Sequence, residues 1–153
     1  MKKVVLFLIS FICLLTLLML LYLTGLLPSW LYPIRLGFLC VLAGGFGGSL
    51  YCLRAVYLNA CVRKQWDHEW QPWYYIRPFV SLVIGGASYV FLKAGLLILE
   101  AGQQSDTTNY GFLALAFIAG LNVDKFLTKI EEIAESIWGI EKSRATQEKE
   151  YNE

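Results

Sequence analysis

Residues 2–27 read KKVVLFLISFICLLTLLMLLYLTGLL, and from Val4 to Leu27 no side chain carries a charge. A hydrocarbon core about 30 Å thick needs roughly 20 apolar residues per helical span, at about 1.5 Å per residue. The stretch is long enough to cross a bilayer, and that reading sets the class of the whole chain. Lys2 and Lys3 in front of it would also suit a secretory signal. The apolar run is longer than a signal requires, however, and Gly25-Leu26-Leu27-Pro28 lacks a small-residue cleavage pattern. A retained anchor is the expectation.

Working outward, the pattern recurs. Of 153 residues, 57% are hydrophobic and 16% charged, so the bulk of the surface is not built for water. A second span is expected over about 36–58, a third over 79–99 and a fourth over 107–127. Pro78 would sit in the first turn of the third, where its missing N–H costs nothing. The fourth must accommodate Asn122, Asp124 and Lys125, at a membrane face or inside a bundle. The expected fold is an all-α membrane protein with a four-span bundle over 1–122. A cytoplasmic amphipathic helix over 123–143 extends the fourth span, and a flexible tail follows over 144–153.

Orientation follows from the basic residues, because short Lys- and Arg-rich segments stay cytoplasmic. Lys2 and Lys3, then Arg54, Arg63, Lys64 and Arg77, then Lys125, Lys129, Lys142, Arg144 and Lys149 are 11 of the 13 basic residues. With four spans these groups share one side. Both termini are then cytoplasmic in a bacterial inner membrane, and the segments 28–35 and 100–109 face outward.

Composition also excludes function classes. Cys13, Cys40, Cys52 and Cys61 lie in or beside spans with no C-x-x-C, which argues against disulfides and zinc and for small apolar fillers. Asp67, His68 and Glu69 are consecutive and point in different directions, and His68 is the sole histidine, so no metal site is expected. Paired intramembrane Asp, Ser with His, or a zinc motif are all missing, so no catalytic site and no cofactor are expected. No basic stripe suits nucleic acid.

Other residues organise the bundle. Helices in lipid associate through close packing, and small residues mark the contact faces. Gly44 and Gly48 form a G-x-x-x-G, Gly85 and Gly86 mark the third span, and Ala116 and Gly120 repeat the spacing in the fourth. A hinge at the second-span glycines, or a subunit interface, is the alternative. The first span has no such face and is expected to meet lipid. Trp66, Trp70 and Trp73 suit an interfacial belt or a partner-docking surface. Lys93 is the one charge well inside an apolar span, and its stem could snorkel outward toward Glu100.

At the cytoplasmic face, Arg77 before the third span and Asp124 at the close of the fourth should reach the same depth and pair, with Asn122 and Arg54 sharing the site. Phe126, Ile130, Ile133, Ile137 and Ile140 then fall at spacings of four, three, four and three, the alternation of a coiled-coil seam for assembly or docking. An amphipathic helix on the inner leaflet, with Trp138 at the interface, is the alternative.

The run Trp73-Tyr74-Tyr75-Ile76-Arg77-Pro78, with Lys93-Ala94-Gly95-Leu96-Leu97 and Ala119-Gly120-Leu121-Asn122-Val123-Asp124-Lys125-Phe126, resembles small multi-pass bacterial inner-membrane proteins. That resemblance covers the second half of the chain and implies a membrane subunit of the kind found beside cytosolic partners in phage defence. The functional expectation is a homo-oligomeric scaffold or effector subunit that senses or perturbs the membrane and recruits a cytosolic protein partner. A small oligomeric channel or transport accessory is the alternative.

Overall fold

The computed structural model describes residues 1–25, 34–64, 66, 69–95, 105–141 and 143, with backbone alone at 105–108. The described residues form helices and no strands: α1 (Lys2–Leu23), α2 (Arg35–Tyr57), α3 (Gln71–Lys93), α4 (Ser105–Leu121) and α5 (Val123–Trp138). A π-helical turn over Leu58–Val62 prolongs α2, making a 28-residue rod from Arg35 to Val62. Three helices among the described residues are long and apolar enough to cross a membrane, and α4 with α5 would add a fourth if the bent pair counts as one span. The segments expected to face outward, Glu100 and the tail beyond Ser143 fall largely or wholly outside the described residues.

Helix α2 is the centre. Its glycines meet α3 and α4 backbone to backbone: a Cβ at Gly44 would lie 2.6 Å from the Gly85 Cα, and one at Gly120 would collide with the Gly44 carbonyl. Gly47 faces Phe117 and Leu121 of α4, and Gly48 faces Ser81 of α3. Ala116 is fully buried, whereas Gly86 meets only the Val41 side chain. Successive contacts run antiparallel between α3 and its two neighbours. Helix α2 is continuous through the glycine run. These glycines are also occupied within one chain.

Helix α1 packs differently and corrects the expectation that it simply meets lipid. Val4, Leu8, Phe11 and Leu15 form a buried stripe at helical spacing against α2 and α3, while Leu6, Leu17, Leu20 and Leu23 are exposed. Val4 and Leu8 sit with Cys52, Val56 and Tyr74, so the start of α1 lies beside the end of α2 and the start of α3. This is the basic end of the bundle.

Several boundaries differ from expectation: α1 stops at Leu23, and the rod of α2 runs on to Val62. Helix α3 starts at Gln71, with Pro72 in its first turn, so Pro78 is an interior, buried residue and not an opening one. It stops at Lys93, where Gly95 adopts φ +73° and its amide bonds to the Leu92 carbonyl. Lys93 is therefore the last residue of the helix, where a cation faces the negative end of the dipole.

Nor does α5 extend the fourth span. The two axes bend by 110° at Asn122, whose φ of −121° and ψ of 53° leave the helical region. Asn gives up helix readily because its short amide competes for backbone groups, and the bend lets Val123 bury beside Ile84 and Ala119. Finally, Gly139 caps α5 at φ +65°, so the helix ends at Trp138 and Ile140 lies beyond the seam.

Candidate functional site

The polar groups gather at the basic end, where α3 begins and α4 turns into α5. Arg77 stands in the second turn of α3 and is only 6% exposed. Its Nη1 donates to Asp124 Oδ2 at 3.1 Å, joining the first turn of α5 to α3. Asp124 itself is 64% exposed, so the pair is open on its acidic side. The guanidinium carbon sits 5.2 Å from the Tyr51 ring and 5.3 Å from the Trp73 ring. Arg77 Nε is buried without a hydrogen-bond acceptor among the described residues, and the two aromatic faces stand in for one.

Arg54 is exposed and forms no hydrogen bond or ion pair among the described residues, so it does not share the site. Asn122 contributes through its backbone: its amide donates to Ile118 O and its carbonyl accepts from Phe126 N–H, both at 2.9 Å. Its side chain caps nothing. The bend thus preserves the hydrogen bonding of both helices while changing direction.

Around the ion pair lies an aromatic and hydroxyl shell. Trp73 meets Tyr51 edge-on at 5.9 Å and Tyr74 at 5.1 Å, and Trp66 stacks on Tyr74 at 5.6 Å. Trp66 and Trp73 are therefore packed into the fold, and of the three tryptophans expected to dock or anchor, only Trp70 is exposed. Asn59, in the π-turn, donates to the Tyr74 hydroxyl at 3.1 Å and accepts from Arg63 at 3.4 Å. Asp67 and His68 lie outside the described residues, and no cluster of His, Cys, Asp or Glu among the described residues could hold a metal.

Two contributors were missed in the sequence. Ser81 Oγ lies 3.0 Å from both the Arg77 and Gly120 carbonyls, tying α3 to α4 one turn from the ion pair. Its signal was available: Ser81, Gly85 and Ser88 continue a small-residue face at spacings of four and three. Tyr51 carried no comparable signal, because it depends on which face of α2 turns toward Arg77.

From Phe126 onward α5 leaves the bundle. Phe126 packs beside Val123 and Ile84, while Leu127, Ile137 and Trp138 are exposed. Ile130 and Ile133 are half-buried. Between α1, α2 and α4, an apolar groove of about 360 Å³ opens beside Met19, Ala43, Phe46, Ala114 and Phe117.

Among the described residues, fold and site together define a small all-helical protein whose helices are long and apolar enough to cross a bilayer, with the buried Arg77 clamping a sharply turned amphipathic helix. No protein-family model, curated protein or solved structure matches it.

Proposed function

We propose that this chain is a scaffold or effector subunit of a bacterial inner membrane that works as a homo-oligomer. It senses or perturbs the bilayer and recruits a soluble partner at its cytoplasmic face. The observation that carries the reading is α5 held across the bundle axis by the Arg77–Asp124 pair. A helix so placed presents one face to the membrane and the other to the cytosol. Asp124, Glu131, Glu132 and Glu135 against Lys125 and Lys129 leave its outer face acidic, which suits a basic partner surface. The setting we propose, following the resemblance in the second half of the chain, is phage defence.

Two experiments test the reading. Alkaline phosphatase fused at Gln104 should be active, and fusions at Gln65 or Glu148 inactive; the opposite pattern reverses the orientation and removes the cytosolic partner from reach. Cross-linking in cells should then join α5 to a soluble protein, and Glu131→Lys with Glu135→Lys should abolish that product without reducing membrane insertion. An unchanged product would show that the acidic face recruits nothing.

A further inference from the structure

The exposed apolar side chains of α5 need a cover, and the geometry selects one. We infer that α5 lies in the membrane plane with its apolar stripe bedded in the acyl chains of the leaflet at the basic end. Its occupant is phospholipid and not a second helix. The inference deepens the proposed membrane sensing and rests on that reading of the chain as a membrane protein.

Direction comes first. Helices α2, α3 and α4 are packed side by side and define the spanning direction, and α5 departs from α4 by 110°. It runs across that direction, turned slightly back toward the bilayer. A helix continuing the span could meet its copies around a common axis as a coiled coil; one turned sideways cannot do so along the bundle axis.

Depth comes second. Asp124 is fixed to Arg77, six residues into α3, or about 9 Å along the helix from Gln71. Interfacial helices bury their apolar face about 5–10 Å into the boundary between headgroups and acyl chains. With the bilayer boundary at the start of α3, the ion pair would hold the first turn of α5 at that level. Val123 and Phe126 anchor its first turn against Ile84 of α3, while Leu127, Ile137 and Trp138 of the stripe are exposed.

Pattern comes third. A coiled-coil seam is a narrow stripe of two positions per heptad, whereas a helix bedded against a broad apolar surface carries three or more. Phe126, Ile130, Ile133 and Ile137 make the seam, but Leu127, Ala134 and Trp138 widen it on one side to an arc of well over 100° at 100° per residue. Asp124, Thr128, Glu132 and Glu135 occupy the opposite arc. Trp138 falls at the edge of the stripe, where an indole can bury its ring and keep its N–H at headgroup level. Beyond Gly139 the chain turns back, and the Ser143 amide donates to Glu131 on the polar side at 3.4 Å.

The helix is net acidic, so anionic headgroups do not draw it in. Its hold on the leaflet comes from apolar insertion, and it should respond to lipid packing more than to surface charge.

Bromolipid quenching of the full-length protein in phosphatidylcholine vesicles tests this. The emission contributed by Trp138, obtained as the difference from Trp138→Phe, should be quenched roughly twofold more by bromine near the headgroup end of the acyl chain than by bromine near its methyl end. It should resist aqueous acrylamide. A tryptophan at Ser136→Trp, on the polar arc, should behave oppositely. Quenching of Trp138 by acrylamide alone would place the stripe in water, and quenching by neither agent would place it against protein. Either result overturns the inference, as would identical behaviour at positions 136 and 138. Loss of the cross-linked partner product bears on recruitment alone and leaves the quenching pattern unchanged, so the two readings fail separately.

Discussion

The two sides of α2 are held by different physics. Toward α3 and α4, Gly44, Gly47, Gly48, Gly85 and Gly120 bring backbones together, and Ser81 adds a hydrogen bond across the gap. Toward α1, large side chains interleave, with Phe11 and Leu15 packed on Leu42 and Phe38 and Phe46 beside them. In lipid, burying a leucine gains little over leaving it among acyl chains, so the second side holds mainly by packing. The first side tolerates no added atom; the second should tolerate loss.

The largest effect should come from breaking the close side. Gly44→Val would drive methyl groups into the Ser81 carbonyl and the Gly85 backbone, and should destabilise the bundle by about 3 kcal/mol or more. Steric-trapping measurement in bicelles reads this; a loss like that of an ordinary lipid-facing substitution would mean the helices are not in backbone contact.

Next, Asp124→Ala removes the partner of a buried arginine. An enclosed pair broken in this way can cost about 3 kcal/mol, and the 64% exposure of Asp124 reduces the expectation to about 2 kcal/mol. Thermal unfolding in detergent should register it, together with faster proteolysis of α5 while α1 to α4 stay intact. On the side-chain-packed face, Leu8→Ala should cost about 1–2 kcal/mol, less than in a water-soluble core because the transfer term is small in lipid. A cost equal to that of Gly44→Val would erase the contrast between the two sides. The smallest effect is expected at Ser81→Ala, about 0.6 kcal/mol for one interhelical hydrogen bond, measured by the same unfolding assay.

How much was legible varies along the chain. The glycine faces and the Arg77–Asp124 juxtaposition could be read because both follow from spacing and from antiparallel order. The aromatic loop could not be divided into packed and exposed members, since Trp66, Trp70 and Trp73 are chemically alike and only folding places Trp66 on Tyr74 and leaves Trp70 outside. The ends of α3 were misjudged by hydropathy. Gln71–Arg77 is polar enough to read as loop yet is helical from Gln71 onward, and Gly95 ends the helix before the apolar Leu96–Leu99 run. The two charges on that helix consequently change roles: Lys93 is terminal and exposed, and Arg77 is the buried one.

By itself the sequence determined the helical class, the apolar lengths suited to a bilayer, the small-residue faces and the amphipathic character of residues 123–138. These depend on composition and period, which are local. Only the tertiary structure decided where that last helix points. The bend at Asn122 is one pair of dihedrals, and its direction is fixed by the burial of Val123 and the reach of Arg77 from another helix. A seam at spacings of four and three can face a second helix or a lipid surface equally well, and the choice belongs to the angle at which the chain presents it.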